Sequence, residues 1–177
     1  MSVKPSPLHS PINCLRLSDD AKKIAVGGSD GRLHLTKIFY KQGQNDFSVD
    51  DVVLFKAQKD EGKDKMQNLF AINSIGFNCR DAKWLYSAGG DGGINFWESV
   101  ERARILQINV GTAVKQISAA DVSMNGQLLA YAIGYDWGKG VWGLDQIYYK
   151  PQVYCHVIQQ NECVYNKSVQ SVNGYIR

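Results

Sequence analysis

The chain has 177 residues, 20 Lys and Arg against 17 Asp and Glu, and 44% hydrophobic residues that include 4 Trp, 9 Tyr and 6 Phe. So many aromatics at a net charge of only +3 exclude a chain disordered throughout, because a core can form and self-repulsion is weak. The longest apolar run, Leu128–Ile133, falls far short of the ~20 residues of a membrane helix, and the N-terminus lacks a signal peptide's apolar core, so a soluble intracellular protein is expected.

Basic and acidic residues are interleaved, so the net charge alone does not point to nucleic acid. The cysteines at 14, 79, 155 and 163 contain no C-x-x-C pair, and His9, His34 and His156 are scattered. Neither a disulfide framework nor a zinc site is expected; reduced thiols are.

In chain order, Ile12–Leu17 alternates, with Ile, Cys or Leu expected to face inward. A polar turn through Asp19–Lys23 leads to Ile24–Gly28, then the tight turn Ser29-Asp30-Gly31 and the alternating run Arg32–Ile38. Val52–Lys56 follows as an outer strand, and the mixed-charge segment Lys59–Lys65 reads as a solvated surface loop. Ile72–Phe77, Trp84–Gly89, the turn Gly90-Asp91-Gly92 and Gly93–Trp97 repeat the plan. Ala21-Lys22, Gly28 and Asp30-Gly31 recur as Ala82-Lys83, Gly89 and Asp91-Gly92, all 61 positions later. A third, divergent unit runs from Val114–Ala119 through Met124-Asn125-Gly126-Gln127 to Leu128–Ile133, with Asn-Gly favouring a hairpin of positive φ. Only Glu98–Leu106 has the spacing for a short helical turn. The chain therefore reads as all-β, an antiparallel meander in units near 8–56, 70–107 and 112–158, followed by a divergent tail at 161–177.

The hairpin plan, the Ser-Asp-Gly and Gly-Asp-Gly turns and the strand ending Phe96-Trp97 resemble WD-repeat β-propeller blades. Phe70–Phe77, Gly90–Trp97 and above all Tyr135-Asp136-Trp137-Gly138-Lys139-Gly140 narrow this to the propeller family of RNA export factors (Rae/Gle) and mitotic checkpoint proteins (Bub). The Tyr-Asp-Trp-x-Lys-Gly string is similar to the export branch, as are Ser6-Pro7-Leu8, Phe55-Lys56 and Tyr148-Tyr149-Lys150-Pro151-Gln152.

The resemblance implies a seven-bladed, non-enzymatic adaptor without cofactors, residing in the nucleus, at the nuclear pore and in the cytoplasm. It implies a partner carrying the acidic GLEBS motif: a nucleoporin in the export branch, checkpoint kinases at kinetochores in its sister. Arg32, in Asp30-Gly31-Arg32-Leu33, matches the family's arginine that pairs with that motif, and guanidinium holds a carboxylate bidentately where lysine is a point charge. Asp30 and Asp91 match the residues that brace the turns, and Trp97 the one that packs between sheets, so all three are structural candidates. A direct RNA-binding surface, using Lys139 and Lys150 beside Arg32 and tyrosines, is the competing reading. The chain departs from the family at Gly93, where arginine is expected, at Ala57-Gln58-Lys59, at Val141–Asp145 and in the tail.

Enzymatic alternatives fail on spacing. Gly134–Gly140 has three residues between its first two glycines where a phosphate-binding loop needs four, and Gly140 stands where Ser or Thr would hold magnesium. Cys155 and His156 are adjacent, so in a strand they point to opposite faces. At ~40–45 residues per blade, the length leaves room for four blades and three are recognisable, which leads us to expect the C-terminal part of a longer propeller with open edges.

Overall fold

Period-two alternation, broken at Asp-Gly and Asn-Gly, becomes antiparallel sheet in the computed structural model. It describes residues 5–40, 47–61, 67–78, 81–100, 103–110, 116–135, 137–138, 140–141 and 150–159. The first blade is β1 (Ile12–Leu17), β2 (Lys23–Gly28), β3 (Arg32–Tyr40) and β4 (Phe47–Lys56), paired in that order. A two-stranded ribbon follows, β5 (Lys59–Glu61) with β6 (Gln67–Leu69). The second blade is β7 (Ile72–Asn78), β8 (Asp81–Gly89), β9 (Gly93–Glu98) and β10 (Ala103–Asn109). The third is β11 (Ile117–Val122), β12 (Leu128–Ile133) and β13 (Gln152–Val157).

The turns explain themselves locally. Gly31, Gly92 and Gly126 adopt φ of 73°, 74° and 65°, the left-handed region that glycine enters without a Cβ clash. Each blade's first strand carries a bulge at the same place, between Ile12 and Cys14, Ile72 and Ser74, and Ile117 and Ala119. Such a bulge sharpens the twist where the innermost strands crowd together.

Two seams form the core. Between blades one and two, Ala25, Leu33 and Leu35 pack with Ile72, Ile75, Phe77, Leu85 and Trp97, with Phe55 against the Trp97 ring at 4.7 Å. Between blades two and three, Tyr86, Ala88, Ile94 and Phe96 meet Ile117 and Leu129. Strand β7 touches both β1 and β11, so the blades are arrayed about their innermost strands. Side chains cross the seams to backbone carbonyls: Cys14 Sγ donates to Ile72 O at 3.6 Å, Asn73 Nδ2 to Ile117 O at 2.8 Å, and Tyr86 Oη to Ala120 O at 2.8 Å. At the other edge of the first seam, Lys23 Nζ donates to Ser99 Oγ at 3.1 Å.

Two expectations are corrected. Alternation in β1 does not bury its apolar residues: Ile12, Leu15 and Leu17 are 52%, 61% and 45% exposed, because among the described residues only the face bearing Cys14 meets another blade. The segment expected as a surface loop begins as strand β5, paired Lys59 to Leu69, Asp60 to Asn68 and Glu61 to Gln67; residues 62–66 lie outside the described residues. Backbone pairing across a short connection needs no apolar side chains, so composition concealed it. Glu98–Leu106, where the weak helical spacing carried no expectation of a helix, runs from the end of β9 into β10, whose Ile105, Leu106 and Ile108 pack on the second seam while the strand pairs with β9.

Candidate binding face at the turn end of the blades

Each blade presents at one end the connection that follows its second strand. In the first, Asp30 Oδ1 accepts the Arg32 N–H at 3.2 Å, and Gly31 N donates to Gly28 O at 3.3 Å. The same aspartate leaves Oδ2 at 3.6 Å from Arg32 Nε, so one carboxylate holds both the backbone and the side chain of Arg32. The Arg32 side chain is 37% exposed, and its terminal guanidinium nitrogens have no partner among the described residues. Arg32 lies opposite Lys56 in the β3–β4 register, which places two cations side by side at this end.

The second blade repeats the brace without the cation. Asp91 Oδ1 accepts Gly93 N–H at 2.9 Å, and Gly92 N donates to Gly89 O at 3.1 Å. Gly93, in the place of Arg32, is buried, and its carbonyl accepts Gln58 Nε2 at 3.0 Å. Gln58 is fully buried and its Oε1 accepts from Asn95 Nδ2, while Arg104 Nη1 reaches Asn95 Oδ1 at 3.4 Å. The departure at Gly93 therefore coincides with a polar joint between the exit of blade one and the centre strands of blade two. Sequence reading missed Gln58 and Asn95 in this role, since nothing in their neighbourhood marks a buried amide.

Trp97 is 2% exposed, and its indole N–H donates to Ser87 Oγ at 2.9 Å inside the first seam. In the third blade, Tyr135 Oη donates to Gly140 O at 2.7 Å and Gly140 N to Trp137 O at 2.8 Å. These bonds hold Trp137 at φ 61°, with its ring 59% exposed and 5.5 Å from that of Tyr135. Lys150 is exposed just before β13, at the corresponding end of this blade. Lys139 and Asp136 lie outside the described residues. Arg32 and Lys150 thus occupy the same end of the first and third blades, with the second blade between them.

Titration follows burial. The Cys14 thiol is pushed up to about 11 and the Tyr86 phenol to about 12, each chiefly by desolvation in a seam. Both groups are neutral at physiological pH. No cluster of three or more potential metal ligands occurs among the described residues.

Residues 4–36 match the family described as WD domain, G-beta repeat. The chain is built of WD-repeat propeller blades. It is 30% identical over 166 residues to the mRNA export factor GLE2 of Chaetomium thermophilum, covering 93% of this chain and 43% of that protein. It is 30% identical over 139 residues to Protein Rae1 of Drosophila melanogaster, covering 76% and 38%. The mRNA export factor of Danio rerio is 28% identical over 162 residues, covering 88% and 40%. The first and third of these relatives bear export-factor names, the branch to which Tyr135–Gly140 pointed; the chain spans about two fifths of the length of all three. Among solved structures, a chain of the Crystal Structure of Mitotic Checkpoint Complex superposes with a TM-score of 0.51 at 17% identity, over 70% of this chain and 33% of that one. At that identity the likeness concerns the blade fold alone.

Proposed function

We propose that these blades serve as a non-enzymatic adaptor in mRNA export and that Arg32 captures an acidic, GLEBS-type segment of a nucleoporin. The observation that carries this reading is the Asp30–Arg32 arrangement. A carboxylate 3.6 Å from Nε orients the guanidinium without occupying its terminal nitrogens, leaving a planar fork for a peptide carboxylate. Lys56, opposite Arg32, adds positive potential to the same end. The relatives' names supply the export context, and the nuclear pore, nucleus and cytoplasm are the sites such an adaptor would occupy.

The test is fluorescence anisotropy with a labelled GLEBS peptide. Arg32→Glu should weaken binding at least roughly tenfold, the scale of one charge-assisted pair, while Arg32→Lys should lose less. Equal affinity of the wild type and Arg32→Glu sinks the assignment. Peptides from checkpoint kinases, run beside the nucleoporin peptide, decide between the export and checkpoint versions.

A second reading, direct RNA contact, is favoured by the exposed Trp137 ring and Lys150 on the third blade. Aromatic faces stack bases and lysines neutralise phosphates. Affinity for single-stranded RNA should then fall steeply with salt on a log–log plot, and Trp137→Ala should weaken it. A flat salt response with unchanged Trp137→Ala affinity removes this reading.

A further inference from the structure

The β5–β6 ribbon is rooted on the turn that carries Arg32. Gly31 O accepts the N–H of Ala57 at 2.7 Å and that of Gln58 at 3.2 Å, and Phe70 N donates to Gln58 O at 3.1 Å. Ala57 and Gln58 are buried, so the root of the ribbon is fixed against the turn. Beyond this root β5 and β6 form a sheet of their own, joined by the three pairs Lys59–Leu69, Asp60–Asn68 and Glu61–Gln67. So short a ribbon is marginal by itself, and among the described residues neither outer edge has a ladder partner.

Positive charge gathers at the root. Arg32 follows Gly31 directly, Lys56 lies opposite Arg32 in the β3–β4 register, and Lys59 opens β5 next to Gln58. Asp60 and Glu61 come farther along the strand, so the attraction for an anion is strongest at the root. Beside it Leu69, across the ribbon from Lys59, is 38% exposed, and Phe70 is half-buried. An open strand edge, a cationic root and an exposed leucine suit one kind of ligand together: an extended peptide with acidic side chains next to an apolar one.

We propose that the β5–β6 ribbon captures such a peptide by strand addition. The peptide pairs its backbone with one outer edge of the ribbon, lays an apolar side chain against Leu69 and directs a carboxylate to the Arg32 guanidinium. This rests on the reading of Arg32 as an acidic-peptide site and supplies its backbone half: main-chain hydrogen bonds give affinity, while the charges and Leu69 select the sequence.

Fluorescence anisotropy with the labelled GLEBS peptide and its single N-methyl derivatives is the test. Methylation of one backbone nitrogen removes a donor and keeps the strand from approaching on that side, yet leaves every charge in place. Successive backbone N–H groups of a strand point to opposite sides. Binding should therefore weaken about fivefold or more at alternate nitrogens of the paired segment and change little at those between. Only the peptide is altered, so no folding defect of the protein can confound the result. Hydrogen exchange in the complex should slow at amides within Lys59–Glu61 or Gln67–Leu69.

Equal affinity of all the derivatives overturns strand addition, and a loss of affinity in Arg32→Glu would then leave the Arg32 assignment standing alone. Methylation effects without slower exchange in the ribbon put the peptide backbone elsewhere and overturn it too. Alternating sensitivity and a protected ribbon, with Arg32→Glu binding as the wild type does, would support strand addition and remove Arg32 as the carboxylate's partner. A parent peptide that does not bind overturns both.

Discussion

Trp97 and Ser87 sit on neighbouring strands of the second blade, and the indole N–H donates to the hydroxyl at 2.9 Å inside the seam with blade one. The bond lets a large apolar ring be buried without stranding its one polar atom. Ser87→Ala strands it, and the expected cost is about 1–3 kcal/mol of unfolding free energy. Trp97→Ala should cost more, about 3–5 kcal/mol, by also opening a cavity beside Phe55. Urea denaturation followed by circular dichroism measures both, and a Ser87→Ala variant as stable as the parent would show that the hydroxyl is dispensable.

Gln58 makes the corresponding joint in polar form. Gln58→Leu keeps most of the volume but removes the donor to Gly93 O and the acceptor for Asn95 Nδ2. About 1–3 kcal/mol should be lost through the groups left unpaired. The double variant Gln58→Leu with Asn95→Leu should recover part of that loss if the two amides act as a unit, and a double-mutant cycle reads the coupling.

Two glycines with nearly equal φ should respond differently to alanine. At Gly31 a Cβ would come within 2.5 Å of Gln58 O and 2.8 Å of Phe70 O, both backbone atoms that cannot swing away. At Gly126 the nearest obstacle, at 2.5 Å, is the Asn78 side-chain oxygen, which can rotate. Gly31→Ala is therefore expected to cost about 2 kcal/mol or more, and Gly126→Ala about 1 kcal/mol. The reverse order in thermal unfolding would contradict the geometry.

Alkaline stability should decline in a defined window. Burial raises Cys14 from 9.0 to about 11 and Tyr86 from 10.0 to about 12, so the fold favours both neutral forms. The stabilisation is complete below pH 9.0, the lower of the two unfolded values, and is lost as pH rises through about 12. Each group accounts for on the order of 3 kcal/mol. Tyr86→Phe should lower stability near neutrality by removing the bond to Ala120 O, yet flatten the loss above pH 10.0. Chemical denaturation between pH 8 and 11 tests this, and an unchanged alkaline slope in Tyr86→Phe would reject the Tyr86 contribution.

Much of the blade architecture was legible in the sequence, because Asp-Gly and Asn-Gly turns and period-two alternation act over a few residues. The turn glycines 31, 92 and 126 carry the positive φ that those dipeptides announce. Arg32 could be placed at a turn for the same reason. The partnership of Arg32 with both atoms of the Asp30 carboxylate, and the burial of Gln58 against Gly93, depend on how neighbouring segments meet and leave no local mark. Lys59–Glu61 misled for a related reason: charged residues can form a ribbon when the backbone alone does the pairing.

The sequence by itself determined that this is an all-β chain of repeated hairpins, since alternation and turn chemistry are local and the repeat recurs 61 positions on. It could not say which face of each sheet is covered. Leu15 and Ile75 occupy equivalent places in equally apolar strands, yet one is 61% exposed and the other 6%, because among the described residues only the second has a blade in front of it. Burial is a property of neighbours in space, and only the tertiary structure assigns those.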